Sequence, residues 1–376
     1  MIIDAHAHCF PYVGNVGEFA SAEEHVRYWQ EQISTHRQGA RRVRDSALAA
    51  KPTLWDGKTT GQAGLRKDVN FHVARHGRFE WEADGEKYFH QYFPPTLDDM
   101  EATPSRMLAQ MQYLGVDKAL IHFGRNYGVT DEYLAQVRAQ HPDKFRCCTE
   151  VDENRANEDQ QIEKLTRAVE ELNLSALYFS NNGFSDSNFQ NAFDQDKYLP
   201  FWNEVARLGI PVLWDIRFMQ RATHADYLQE AKRLHRHIRC FPQTHNVLTH
   251  SVPRHALDAD GRIPEDLWAL FAEPNLTIEL LFPILDGHRW DYPYAEAQPV
   301  IRVLYDRLGP TKLLWGSDMP NVERNCTYAQ SLDYLRKYST YIPAADMGMI
   351  LGTNADKIYF SRPLGKLAAK PVAMSA

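Results

Sequence analysis

From Ser105 onward, short apolar runs alternate with segments of helical periodicity, and this alternation constrains the fold more than any other feature of the chain. The predicted strands are 1–8, 118–123, 145–150, 175–180, 211–216, 246–250, 276–282 and 312–318, and the predicted helices are 105–114, 131–140, 159–172, 199–208, 225–233, 264–271, 297–308, 328–337 and 344–350. Strands that alternate with helices form a parallel sheet, and eight such units predict a closed (β/α)8 TIM barrel, an α/β fold. An open doubly wound sheet is the alternative. No glycine-rich phosphate loop follows any predicted strand, which weakens the nucleotide-binding form of that alternative.

The first strand carries a clear sign of chemistry. Because side chains alternate along a strand, Asp4, His6 and His8 point to one face. Two imidazoles two residues apart can reach one point beyond the end of the strand, and neutral imidazole nitrogens bind divalent metals at roughly 2.0–2.1 Å. A chance pair on a polar edge strand is the alternative. The adjacent acid and the apolar character of the strand favour a metal site.

Residues 10–105 interrupt the regular pattern. A helix is predicted over 23–36, and Asp84-Gly85 predicts a hairpin turn between 79–81 and 87–89. A structureless loop of this length is uncommon in a compact domain, so we expect a cap subdomain that governs substrate specificity, inserted in a single barrel domain over 1–376. Its aromatic and arginine side chains suit an anionic or unsaturated ligand. A solvated excursion or a dimer contact is the alternative.

Composition narrows the class of protein. The net charge of −7 and the lack of a basic run argue against nucleic-acid binding. Five cysteines in 376 residues form no disulfide pattern and fit a reducing compartment. No run approaches the roughly 20 apolar residues of a membrane span, and no leader segment is evident, so we expect a cytoplasmic protein with no membrane partner. A homodimer is left open.

The ends of the predicted strands are rich in polar and titratable side chains. In a TIM barrel the reactive groups lie at the carboxyl ends of the strands. The side chains found there are His6 and His8, His122, Glu150, Tyr178 and Ser180, Asp215 and Arg217, His250, Glu279, and Asp318. A merely structural barrel would not concentrate such groups, so the pattern predicts an enzyme rather than a scaffold.

Several of these positions lie in motifs that resemble the amidohydrolase superfamily. The motifs are Asp4-Ala5-His6-Ala7-His8, Thr249-His250, Trp315-Gly316-Ser317-Asp318-Met319-Pro320 and Ile350-Leu351-Gly352-Thr353-Asn354-Ala355. Within the superfamily they resemble the branch that includes aminocarboxymuconate-semialdehyde decarboxylase and several lactonases, over residues 1–9 and 106–360. The resemblance implies a TIM barrel with a single divalent metal, commonly zinc or manganese. It carries the paired histidines of the family onto His6 and His8, its strand-8 aspartate onto Asp318, and its strand-6 histidine onto His250.

The sequence departs from the family where the strand-5 histidine ligand would stand, because Asp215 occupies that strand. An aspartate can ligate, and two histidines with two carboxylates would tolerate manganese as well as zinc. Alternatively, Asp215 forms a salt bridge with Arg217 and touches no metal, and the protein works without an ion. The fourth strand holds no lysine, so the carbamylated lysine of binuclear members has no candidate and we expect one metal at most.

The resemblance and the residue chemistry together assign roles. The expected metal ligands are His6, His8, Asp215 and Asp318. Asp318 would also take a proton from the attacking water, and His250 would donate to the developing oxyanion or steady the water. Substrate contacts are expected from Arg217, Arg75, Arg78, Tyr178 and His122, with an arginine clamping a substrate carboxylate.

Four functions fit this set of residues. The main prediction is a metal-dependent hydrolase that acts on a lactone or amide of a small carboxylated molecule. The first alternative is a non-oxidative decarboxylase of a carboxylated aromatic or muconate-like acid. The second is a lactonase that needs no metal, and the third is a non-catalytic barrel, which the loaded strand ends disfavour. Fold alone does not separate the first three.

Overall fold

The computed structural model describes residues 1–34, 36, 38–59, 61–187, 189–217 and 223–361, with the backbone alone at 185–187. Twelve strands occur in this part of the chain: β1 Ile3–Ala7, β2 Arg41–Arg42, β3 His72–Val73, β4 Arg78–Ala83, β5 Glu86–Gln91, β6 Lys118–Ile121, β7 Phe145–Thr149, β8 Ala176–Ser180, β9 Val212–Asp215, β10 Asn246–Leu248, β11 Leu276–Leu280 and β12 Leu313–Trp315.

Eight of these strands form a parallel barrel. β1 and β6 to β12 pair in chain order, each strand with the next. The ring closes where the turn after β12 meets β1, because the Asp318 backbone N–H donates to the His6 carbonyl at 2.7 Å and the His8 N–H donates to the Met319 carbonyl at 2.6 Å. The predicted (β/α)8 TIM barrel is confirmed.

The helices surround the barrel. They are α1 Ala22–Ser34, α2 Pro104–Leu114, α3 Asp131–Gln140, α4 Asp159–Glu170, α5 Leu199–Leu208, α6 His224–Cys240, α7 Glu265–Phe271, α8 Phe282–Asp286, α9 Gln298–Leu308, α10 Tyr328–Arg336 and α11 Ala344–Gly348. Local chemistry fixes many of their ends. Thr103 caps the start of α2 by accepting from the Arg106 N–H, and Gly115 ends it with a left-handed φ of 69°. In the described ranges, no helix has the length and apolar character that crossing a bilayer requires.

Most predicted bounds differ from the structure by one to three residues, and the end of helix α6 differs by seven. The strands predicted over 246–250 and 312–318 end earlier, because His250 and Asp318 have φ of 61° and 62°, a left-handed conformation that no strand tolerates. The strand predicted over 276–282 also ends early, since α8 starts at Phe282 with a proline in its first turn. Helix α6 continues past the predicted residue 233 to Cys240.

The described residues between β1 and α2 pack against the barrel. Their main elements are α1 and an antiparallel sheet in the order β2-β5-β4-β3. The predicted hairpin is confirmed, because Ala83 pairs with Glu86 across the turn, and Asp84 and Gly85 both have positive φ. Aromatic contacts join the segment to the loop after β6. Phe93 lies 5.4 Å from Tyr127, ring centroid to ring centroid.

Candidate active site at the barrel mouth

His6 lies at the centre of the candidate site and its ring orientation is fixed. Its Nδ1 lies 2.9 Å from Glu279 Oε2 on β11, and both side chains are buried. A carboxylate only accepts hydrogen bonds, so in the neutral ring Nδ1 carries the proton and Nε2 carries the lone pair. Burial opposes protonation of the His6 ring, yet the negative charge of Glu279 raises its pKa above the usual value.

Asp318 faces both histidines of β1 from the turn that closes the barrel. Its Oδ1 lies 3.1 Å from His8 Nε2 and 4.0 Å from His6 Nε2. Burial opposes ionisation of the carboxyl group, but the hydrogen bond from His8 and the charges of His6 and His8 hold the pKa of Asp318 at about 2. The carboxylate is therefore charged at neutral pH.

These three side chains fit a divalent metal ion. Their ligand atoms all lie within 4.8 Å of one another. Two ligand atoms about 2.1 Å from one ion and at a tetrahedral angle lie roughly 3.4 Å apart, and the observed 3.1 Å and 4.0 Å bracket that separation. The His6 Nε2 lone pair faces the Asp318 carboxylate, an arrangement that a cation between the two atoms would stabilise. The bond from Glu279 is the carboxylate–histidine contact that usually orients a metal-binding imidazole.

A second group, His6 with His122 and Glu279, is equally compact but fits an ion poorly. The His6 and His122 rings stack at a centroid distance of 3.6 Å with an interplanar angle of 16°. Imidazole lone pairs lie in the ring plane, so stacked rings cannot aim two of them at one ion. His122 Nε2 also lies 3.1 Å from the Ala5 carbonyl, to which it donates. His122 thus stands beside the site as a neighbour of His6.

His250 follows β10 and presents one ring nitrogen to the site. The Thr249 hydroxyl donates to the Trp214 carbonyl at 3.0 Å and lies 2.9 Å from His250 Nδ1. Since the single hydroxyl proton of Thr249 is used, His250 Nδ1 must donate to it, and Nε2 keeps the lone pair. Burial lowers the pKa of His250 well below its usual value, and the charge of Arg217 adds to the effect. In this neutral form, Nε2 accepts a proton or hydrogen bond rather than donating one.

Asp215 is engaged by its neighbours at the end of β9. Arg217 Nε and Nη2 donate to its two carboxylate oxygens at 2.9 Å each, and the Tyr178 hydroxyl donates to Oδ2 at 3.1 Å. Burial opposes ionisation, but Arg217 lowers the pKa of Asp215. Of the histidines expected in the site, His250 approaches Asp215, with its Nδ1 3.9 Å from Oδ2. Three of the four expected ligands therefore converge, and Asp215 forms the salt bridge that was its alternative role.

Arg75 and Arg78, the two arginines expected to bind substrate, contact other residues of the insertion instead of the site. Arg75 forms an ion pair with Asp98 at 2.6 Å, and its side chain is 65% exposed. Arg78 donates to Gln91 at 2.9 Å within its own hairpin. A different insertion residue, Tyr92, contacts the turn after β12, because its carbonyl accepts a hydrogen bond from Arg324 at 2.8 Å.

Two buried carboxylates, Asp4 and Glu279, support the site through contacts with distant residues. Asp4 accepts from the Ser317 N–H at 2.9 Å and from the Tyr328 hydroxyl at 2.9 Å, so it ties β1 to the turn that carries Asp318. Glu279, one of the titratable strand ends in the sequence, orients His6. Both are buried. The one sequence signal that points to them is an acidic residue within a mainly apolar strand.

Comparisons with known proteins show the family of this chain. A sequence profile of the family described as Amidohydrolase matches residues 3–360. The chain belongs to the amidohydrolase family. This amidohydrolase is therefore an enzyme of the superfamily that its motifs resemble, and that prediction is confirmed. No curated protein sequence matches the chain at a significant level.

Solved structures share the fold at low sequence identity. An amidohydrolase from Burkholderia multivorans with bound zinc has 14% identity and a TM-score of 0.53, over 69% of this chain and 89% of that one. A probable 2-pyrone-4,6-dicarboxylic acid hydrolase from Acinetobacter baumannii, with citric acid bound, has 16% identity and a TM-score of 0.52, over 69% and 90%. A dihydroxybenzoic acid decarboxylase from Polaromonas, with bound manganese and the inhibitor 2-nitroresorcinol, has 15% identity and a TM-score of 0.51, over 69% and 86%.

Proposed function

We propose that this amidohydrolase is a metal-dependent hydrolase that opens a lactone or amide of a small carboxylated molecule. The observation that carries the proposal is the convergence of His6, His8 and Asp318 at the barrel mouth, with His6 and His8 contributing Nε2 and Asp318 contributing Oδ1. Neutral imidazoles and a carboxylate are the donor set that zinc and manganese accept, and an ion bound there would replace the proton that His8 Nε2 donates to Asp318. Among the fold neighbours, one contains zinc and another contains manganese.

The metal would be held by His6, His8 and Asp318, with Glu279 fixing the ring of His6. When bound, a divalent ion would polarise the scissile carbonyl and lower the pKa of water towards about 7. Asp215 is not needed in this set, since both of its oxygens already accept hydrogen bonds from Arg217.

The protein's own groups would move the proton. Asp318 is ionised at neutral pH, so it would accept a proton from the attacking water and return it to the leaving oxygen or nitrogen. His250 would steady that water by accepting a hydrogen bond at Nε2. The donor role, the other prediction for His250, requires a proton that Nε2 lacks in the neutral tautomer.

A carboxylate on the substrate would pair with Arg217. Asp215 holds Nε and Nη2 of this guanidinium, and no acceptor among the described residues takes Nη1. Arg217 lies close enough to Asp318 for their charges to interact. Tyr178 and His122 line the same side, with their ring centroids 5.6 Å apart.

Non-oxidative decarboxylation is the second candidate. Arg217 would then hold the carboxylate that leaves, and the proton would go to carbon instead of to a leaving heteroatom. The decarboxylase among the fold neighbours supports this candidate, whereas the probable pyrone hydrolase supports the first.

A metal titration and a substrate panel test the proposal. Protein purified without chelators should contain near one equivalent of zinc or manganese, and His8→Ala should lose it. His72→Ala serves as the matched control, because His72 lies on β3 outside the site. Carboxylated lactones, carboxylated amides and carboxylated phenols are then assayed in parallel for acid production and for carbon dioxide release. Full activity in metal-free protein would refute metal dependence, and carbon dioxide release alone would replace the hydrolase with the decarboxylase.

A further inference from the structure

Asn321, in the turn after Asp318, bonds directly to the carboxylate proposed as the metal ligand. Its Nδ2 donates to Asp318 Oδ1 at 2.9 Å and to the Tyr127 hydroxyl oxygen at 3.1 Å. Asn321 is 2% exposed, so water does not compete for these bonds. Neither Asn321 nor Tyr127 binds the metal or moves the proton in the proposed function.

The orientation of the Asn321 amide is dictated by its partners. An ionised carboxylate only accepts hydrogen bonds, so the nitrogen of the amide must face Asp318. The opposite rotamer would aim the amide oxygen at the negative charge. In the present orientation, Asn321 Oδ1 is buried and has no hydrogen-bond partner in the described part of the chain. A buried unpaired oxygen is unfavourable, and the two bonds at Nδ2 must offset its cost.

The two oxygens of Asp318 are thereby made unequal. Oδ1 receives the Asn321 amide and faces His8 Nε2 and His6 Nε2. Oδ2 accepts no hydrogen bond from any residue that the structure describes. A carboxylate with one oxygen held in place cannot rotate freely, so the same oxygen always faces the histidines.

Tyr127 fixes the Asn321 side chain by accepting a hydrogen bond from its amide. It lies in the turn after β6 and packs in the aromatic cluster that joins the insertion to the barrel, 4.8 Å from Phe10 and 5.4 Å from Phe93 between ring centroids. Its ring also meets His8 edge-on, with centroids 5.2 Å apart and an interplanar angle of 87°. Tyr127 is therefore rigid enough to orient the amide.

We propose that Asn321 is a positioning residue that commits Asp318 Oδ1 to the metal and leaves Oδ2 to take the proton, and that Tyr127 orients Asn321. This inference rests on the proposed function, because it assumes a metal bound by His6, His8 and Asp318. The partners of a ligating carboxylate typically contribute a factor of about 10–100 in metal affinity or activity.

The test uses four variants of the full chain: Asn321→Leu, Tyr127→Phe, the double variant, and Asn325→Ala. Asn325 is the matched control, an asparagine in the same turn whose amide donates to the Pro283 carbonyl at 2.9 Å and not to the site. Zinc affinity is measured by competition with a chromophoric chelator, and circular dichroism verifies folding. The kcat and KM values are measured at saturating zinc.

Asn321→Leu should weaken zinc binding about 10- to 100-fold and lower kcat with little change in KM. Tyr127→Phe should weaken it less, and it keeps the Asn321 side chain if the leucine variant fails to fold. The tyrosine effect should vanish in the double variant, because Tyr127 acts through Asn321. Asn325→Ala should bind zinc like the wild type.

Unchanged zinc affinity in both Asn321→Leu and Tyr127→Phe, beside tight wild-type binding, would overturn the inference and leave the proposed function standing. Additive effects in the double variant would remove Tyr127 from the proposal. A wild-type protein that binds no zinc or manganese would overturn the proposed function together with this inference.

Discussion

Replacing Asp215 with alanine separates a metal ligand from a salt-bridge partner. The carboxylate accepts two bonds from the Arg217 guanidinium at 2.9 Å each, one from the Arg217 backbone N–H at 3.1 Å and one from Tyr178 at 3.1 Å. The Asp215 side chain is 4% exposed and that of Arg217 is 19% exposed. The substitution would therefore leave a largely buried guanidinium without a counter-charge.

Removing one partner of a buried ion pair typically costs about 3–5 kcal/mol in the free energy of unfolding. With an unfolding entropy of about 2.1 cal/mol/K per residue, a chain of 376 residues has an entropy of roughly 0.8 kcal/mol/K at the midpoint, so we expect Tm to fall by about 4–6 °C. Asp215→Ala/Arg217→Met removes both charges and should recover most of that loss.

The assay that decides the role is metal affinity. If Asp215 only orients Arg217, Asp215→Ala should bind zinc like the wild type by chelator competition, while KM for a carboxylated substrate rises. His8→Ala, measured in parallel, should lose the metal. A loss of zinc affinity in Asp215→Ala comparable to that in His8→Ala would refute this reasoning and establish Asp215 as the fourth ligand.

Two of the three further predictions concern the site, and the third concerns a buried acid. Asp318→Asn should lower kcat by about 10²–10⁴ with the far-ultraviolet circular dichroism unchanged, because an amide cannot take the proton; near-normal turnover would exclude Asp318 as the base. Gly316→Ala would place a Cβ 2.7 Å from His6 Cβ and should weaken zinc binding through displacement of β1, whereas a wild-type affinity would show that the turn adjusts. Burial raises the pKa of Asp131 to about 7, so the folded state binds the proton more tightly than the unfolded state, and its contribution to stability is lost as pH rises from about 4 through 7. Asp131→Asn should flatten the fall in Tm between pH 5 and pH 8, and an unaltered pH profile would contradict the assigned pKa.

The barrel could be predicted because its strands and helices are encoded in local sequence patterns. Most barrel strands are short, mainly apolar runs and most helices show a helical period, and both signals are visible without knowledge of tertiary contacts. The hairpin at Asp84-Gly85 was equally predictable, since that dipeptide favours the positive φ values that the turn requires. His6 and His8 followed from the alternation of side chains along one strand.

The remaining parts of the site depend on contacts between distant residues. His250 and Asp318 adopt left-handed backbone conformations that their residue types do not demand. Nothing in the sequence pairs Glu279 with His6, since 273 positions separate them. The sequence also does not decide whether Asp215 is a metal ligand or a salt-bridge partner. The answer depends on the direction that the Arg217 side chain takes.

The closure of the barrel determines when the metal site can form during synthesis of the chain. His6 and His8 are synthesised about 310 residues before Asp318, the carboxylate that meets them, and the backbone that seals the ring lies in the same turn as Asp318. A nascent chain that ends before residue 318 carries two histidines without their carboxylate and an open sheet edge on each side of the gap. Metal loading at this site therefore has to follow the synthesis of residue 318, and a chain that stops earlier would be exposed to edge-to-edge aggregation.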